Sequence, residues 1–111
     1  MSEQATGAKR KEGSTRTVRE VLLTHVGGLH ARPSIKVTKL AKRFRANVWI
    51  ALSEQGPWTD AKSIARVVGM KAPVNSIVYF AAEGVDGDEA VNALVSLVQG
   101  DFAEGAGDDG G

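Results

Sequence analysis

The apolar residues of this chain change their spacing several times, and the order of those changes restricts the fold more than any other feature. From Thr17 to Thr24 the sequence is β-branched and strand-like. From Pro33 onward apolar residues fall at helical spacing, as Val37, Leu40, Ala41 and Phe44. Val48, Ile50 and Leu52 then take every second position, the pattern of a strand with one buried face. A Gly56-Pro57 turn leads to a short strand near Trp58. A compact helical segment follows from about Ser63 to Met70, and Pro73-Val74-Asn75 breaks it. Ser76 to Ala82 reads as another strand, with Val78, Phe80 and Ala82 on one face. The last helix begins at Asp86, three residues before Glu89 as in a capping box. It carries Ala90, Val91, Leu94, Leu97 and Val98 inward and stops at Gly100. The order β-α-β-β-α-β-α predicts an α+β two-layer sandwich, one antiparallel sheet with its helices on a single face. Strand alternation turns Leu22, Trp49, Ile77 and Tyr79 to the uncovered face, where they are expected to form one apolar and aromatic patch.

Composition limits what such a sandwich does. With 111 residues, 42% of them hydrophobic, the chain builds one domain and little more. There is no cysteine and there are only two histidines, so disulfides and thiol chemistry are excluded and a zinc site is poorly supplied. No metal and no cofactor is expected. The formal charge of +1 gives no nucleic-acid footprint, and Trp49 and Tyr79 are too sparse for an RNA-stacking run. No apolar run reaches membrane-spanning length, and the N-terminus lacks the apolar stretch of a secretory signal, so a cytoplasmic location without membrane insertion is expected. Residues 1–16, with the basic run Lys9-Arg10-Lys11, and the acidic, Gly-rich 101–111 read as disordered tails around a domain at 17–100.

The chemistry concentrates at the first strand-to-helix junction, Gly28-Leu29-His30-Ala31-Arg32-Pro33-Ser34. Proline is tolerated in the first helical turn, where backbone N–H groups have no intrahelical partner, so Pro33 sets the helix start beside His30. The N–H groups of Ala31 and Arg32, the helix dipole and the Arg32 guanidinium then make an anion site next to an imidazole, itself a competent nucleophile. His25, on the loop before the motif, reads as an ordinary polar loop residue.

The six residues Gly28 to Pro33 match without substitution the active-site signature of the HPr-type phosphocarriers of the bacterial sugar phosphotransferase system (PTS), which the chain resembles over roughly residues 17–99. Asp60-Ala61-Lys62-Ser63-Ile64 resembles that family's regulatory-serine segment, and Ala82-Glu83-Gly84 its last strand-to-helix turn. The resemblance implies an HPr-like open-faced sandwich with sheet order 1-4-2-3 and three helices on one face. It implies that His30 accepts a phosphoryl group on Nδ1 from Enzyme I and passes it to a histidine of a IIA-type domain. Arg32 and the Ala31 and Arg32 amides would compensate phosphoryl charge.

At Ser63 an N-cap role is sufficient by itself, while the resemblance adds, for some bacteria, phosphorylation by an HPr kinase/phosphorylase that weakens Enzyme I docking. Ile64 and Val68, at i and i+4, are the candidate docking residues. The chain departs from the family pattern here: Ala65 stands where many members have Met, and Arg66 and Lys71 where Gly is frequent. That puts the partners in question, not the histidine chemistry. A different functional class therefore stays open, a phosphorylation-dependent regulatory interaction protein of a nitrogen-type PTS or dihydroxyacetone-kinase branch, not devoted to sugar uptake.

Overall fold

A computed structural model describes residues 16–103, and the basic run and most of the acidic, Gly-rich end expected as tails lie outside them. The elements follow the predicted order: β1 (Arg16–Leu22), α1 (Ala31–Ala41), β2 (Asn47–Ala51), β3 (Thr59–Asp60), α2 (Ile64–Gly69), β4 (Ile77–Glu83) and α3 (Gly87–Gln99). All neighbouring strands are antiparallel in the order β1-β4-β2-β3, which is 1-4-2-3. The β1 and β4 pairing runs from Arg16 opposite Glu83 to Leu22 opposite Ile77, and β2 lies on the other side of β4 with Val48 opposite Ala82.

Period-2 alternation decides which residues meet the helices. Val21, Val48, Ile50, Val78, Phe80 and Ala82 point into the core with Val37, Leu40 and Ala41 of α1 and the Ala90, Val91, Leu94, Leu97 and Val98 face of α3. Where β1 becomes polar, its helix-facing side chains bond to α3 instead: Thr17 donates to Asp88 and Arg19 to Asn92. Across the sheet, Leu22 and Ile77 are exposed while Trp49 and Tyr79 are half-buried. The Arg16 guanidinium lies over both Trp49 and Trp58, 5.0 and 5.3 Å from their ring centres.

Three expectations need correction. Leu52 lies beyond the end of β2 and is exposed, because the strand stops pairing at Ala51 opposite Tyr79. Asp86 is the N-cap residue of α3 but its side chain makes no capping bond. Its carboxylate instead accepts the backbone N–H groups of Arg45 and Ala46, at 2.9 and 2.8 Å, and so fastens the turn before β2 to the start of α3. Those bonds, chiefly the one from Arg45, hold the Asp86 carboxyl below its ordinary value of 3.8 against the opposing effect of desolvation. Finally, packing continues past Gly100: Phe102 is 5% exposed and belongs to the core cluster, so the chain at 101–103 is docked, not tail-like.

Candidate active site

The loop between β1 and α1 is shaped by two glycines. Gly27 and Gly28 have φ of +85° and +70°, a region that side chains seldom adopt, and each also sits too close to its surroundings for a Cβ. A Cβ on Gly28 would fall 2.3 Å from the Ala72 carbonyl oxygen, because the loop is drawn against the segment after α2. The Leu29 N–H donates to that same oxygen at 2.9 Å, and the Leu23 N–H to the Ser76 carbonyl, also at 2.9 Å. From the helix side the buried Ser34 hydroxyl donates to the Leu29 carbonyl at 3.0 Å. The residues on either side of His30 are therefore fixed although His30 is exposed.

His30 is the N-cap of α1, with extended backbone (φ −78°, ψ −164°) and no side-chain capping bond. Its carbonyl accepts the first helical hydrogen bond, from Ser34 at 3.0 Å. Since Pro33 has no N–H, the amides of Ala31 and Arg32 are the two in this turn without an intrahelical acceptor. A Cβ on Gly27 would approach His30 Cδ2 to 2.9 Å and Nε2 to 3.4 Å. That edge of the imidazole lies against the loop, and Nδ1 is on the edge away from it. Arg32 is exposed in the same turn.

An open cleft of about 330 Å³ lies in front of the histidine, with Leu29, His30, Val68, Lys71 and Pro73 among its walls. Val68, a candidate docking residue, is thus brought to His30. Ile64, 43% exposed, lies one turn back along α2. Ser63 caps α2, its hydroxyl accepting the Arg66 N–H at 3.3 Å.

Lys71 and His25 were not recognised as site residues from the sequence. Lys71, with φ of +52°, places a cation on the cleft wall. His25 lies with its ring centre 5.5 Å from that of His30 and its Nδ1 2.7 Å from Asp101 Oδ1. No local pattern announces either, because the partners are separated by 41 residues for Lys71 and His30 and by 76 for His25 and Asp101. The Arg-Pro continuation that distinguishes His30 is missing after His25.

The arrangement sets an exposed imidazole beside two amides that have no intrahelical acceptor, with Lys71 on the cleft wall, which fits transient attachment of an anionic group. Among the described residues no helix is long and apolar enough to cross a membrane. The family model for the PTS HPr component phosphorylation site matches residues 17–100. The phosphocarrier protein HPr of Cupriavidus necator is 39% identical over 87 residues, covering 78% of this chain and 96% of the relative. Among solved structures, HPr from Bacillus anthracis superimposes with a TM-score of 0.69 at 31% identity, covering 76% of this chain and 98% of the other. HPr from Thermoanaerobacter tengcongensis gives 0.66 at 30% identity, covering 81% and 97%.

Proposed function

The chain belongs to the HPr family of PTS phosphocarriers, and from that premise we propose that His30 takes a phosphoryl group on Nδ1 from phospho-Enzyme I and yields it to a histidine of a IIA-type domain. The observation that carries the proposal is the N-cap position of His30: the ring is exposed, is not used for capping, and turns its Nε2 edge to Gly27. The carrier's task between two histidines is positioning and charge compensation. The Ala31 and Arg32 amides supply fixed dipoles at the helix start, and the Arg32 guanidinium neutralises phosphoryl oxygens. Exposure keeps the transfer reversible, since a phosphohistidine enclosed by donors would be held too tightly to leave. The working unit runs from β1 to Phe102 and acts in the cytoplasm, where phosphoenolpyruvate is available.

Docking belongs to the cleft rim, with Ile64 and Val68 as the apolar contacts and Ser63 at the head of the same helix as the point of regulation by an HPr kinase/phosphorylase. A phosphate there is favoured by the helix start while it adds negative charge to the docking face. The exposed Ala65, Arg66 and Lys71 make this face smaller and more basic than a Met-rich one. That departure bears on which acceptor docks, a sugar transporter's or, as the second reading, one in a regulatory branch, and a pull-down with the phosphorylated chain identifies which.

The test is incubation with Enzyme I, Mg²⁺ and phosphoenolpyruvate. One acid-labile, alkali-stable phosphate is expected, absent in His30→Ala. Equal labelling of that variant refutes the assignment.

A further inference from the structure

Among the described residues four with side chains have left-handed backbone: Lys71, Asn75, Asp101 and Phe102, with φ of +52°, +73°, +60° and +59°. Asn and Asp enter this region more readily than other residues, because their short polar side chains bond locally. Phe102 offsets the cost by burial in the core. Lys71 has neither compensation, since its side chain is long and exposed. The backbone shape itself is needed. Lys71 follows Met70, the C-cap of α2, and donates its N–H to the Val68 carbonyl at 3.1 Å; the turn then presents the Ala72 carbonyl to the Leu29 N–H at 2.9 Å. Glycine makes such a turn without strain and is the usual residue just past a helix end. The backbone therefore calls for glycine, and only the side chain accounts for a lysine. Strain of this kind collects at functional positions.

That side chain belongs to the wall of the cleft that holds His30. The rest of the wall, from Gly27, Leu29, Ala31, Val68, Ala72 and Pro73, is apolar, so no carboxylate of the cleft itself answers the lysine. A protein that hands a phosphoryl group to His30 brings its own histidine to within one P–N bond of the phosphorus. Its surface must close over the cleft, and with it over Lys71. We propose that Lys71 is a specificity-determining residue of the carrier, selecting as phosphoryl donor a protein that presents a carboxylate to the Val68 to Pro73 wall. This deepens the phosphocarrier reading and rests on it. Lys71 takes no part in making or breaking bonds. Its ammonium is a compact charge on a flexible four-carbon stem, free to turn toward whatever covers the cleft. A carboxylate in that surface pairs with it, whereas an apolar or basic surface leaves a desolvated or repelled cation and docks more weakly. The apolar contacts at Ile64 and Val68 do not make this distinction.

Phosphorylation of the full chain by Enzyme I of the same organism, with Mg²⁺ and phosphoenolpyruvate, is followed over a range of carrier concentrations and ionic strengths. Lys71→Gln keeps the stem and the left-handed residue but removes the charge. Lys71→Arg keeps the charge, and Lys71→Gly removes both charge and strain. Lys71→Gln and Lys71→Gly are expected to raise the KM for the carrier about two- to fivefold at low salt, the range of one exposed ion pair, with kcat unchanged. Their kcat/KM should also fall less steeply as salt is added. Lys71→Arg is expected to stay near wild type. In urea unfolding Lys71→Gly is expected to be more stable than wild type and Lys71→Gln is not, so docking weakens while stability rises, which a merely structural role does not produce. Wild-type KM and salt dependence in Lys71→Gln, an equal loss in Lys71→Arg, or a Lys71→Gly no more stable than wild type would overturn the proposal. A wild type that takes no label at His30 overturns the phosphocarrier reading, and this inference with it.

Discussion

Two glycines that adjoin residues lining the cleft should respond to the same substitution with opposite sign. Gly28 has a left-handed backbone and its added Cβ would lie 2.3 Å from the Ala72 oxygen and 3.0 Å from the Pro73 backbone. Left-handed conformation costs a non-glycine residue about 1–2 kcal/mol. Relieving the overlap moves the segment at Ala72 and loosens the Leu29 N–H bond to it, a further net loss of about 1 kcal/mol. Gly28→Ala should therefore destabilise the domain by about 2–3 kcal/mol, lowering Tm by roughly 10–20 °C for a chain this size. Gly69 closes α2 with nothing within 4 Å of an added Cβ. Gly69→Ala restricts the unfolded chain without a clash and should stabilise by about 0.4–1 kcal/mol. Urea unfolding of both variants beside wild type reads the two signs directly, and the initial rate of His30 phosphorylation by Enzyme I should fall in Gly28→Ala alone, because that loop carries the histidine. If Gly28→Ala is as stable as wild type, or Gly69→Ala loses as much as Gly28→Ala, the close approach of the loop to Ala72 does not have the role assigned to it.

Arg32→Ala should leave the urea midpoint unchanged and slow transfer both to and from His30, as expected when transition-state charge compensation is lost; rapid-quench kinetics in both directions check this. Ser63→Ala should cost about 0.5 kcal/mol, the low end for a cap, because its bond to Arg66 is long at 3.3 Å. Ser63→Asp should keep the cap yet slow phosphorylation by Enzyme I, and an unchanged rate would leave Ser63 as a cap only. Asp86 has a carboxyl held low in the folded state, so its contribution is present above the unfolded value near 3.8 and is lost as pH falls through the lower folded value. Asp86→Asn should accordingly be less stable than wild type at pH 7, with the gap closing below about pH 4 in urea titrations taken at several pH values.

What the sequence determined by itself is the local part. Apolar period fixed the identity of each element, since a helix or a strand must bury one face whatever lies opposite, and the buried faces of α1, β4 and α3 are those read from spacing. The Gly28 to Pro33 run likewise put a helix start close to His30, which the structure places at Ala31 with His30 as N-cap, because missing amides and fixed φ are properties of the residues themselves. Tertiary structure decided the partners of polar side chains, for which sequence carries no period. Asp86 and Glu89 have capping-box spacing, yet two amides 40 and 41 residues away offered the Asp86 carboxylate better placed donors. Lys71 reached the cleft only because the segment after α2 is drawn onto Gly28. His25 became a neighbour of His30, with Asp101 on its Nδ1, because Phe102 adds to the core and turns the chain back after α3. Burial of an apolar ring can be anticipated from its own chemistry, whereas which polar group it carries along depends on the register of elements far apart in the chain.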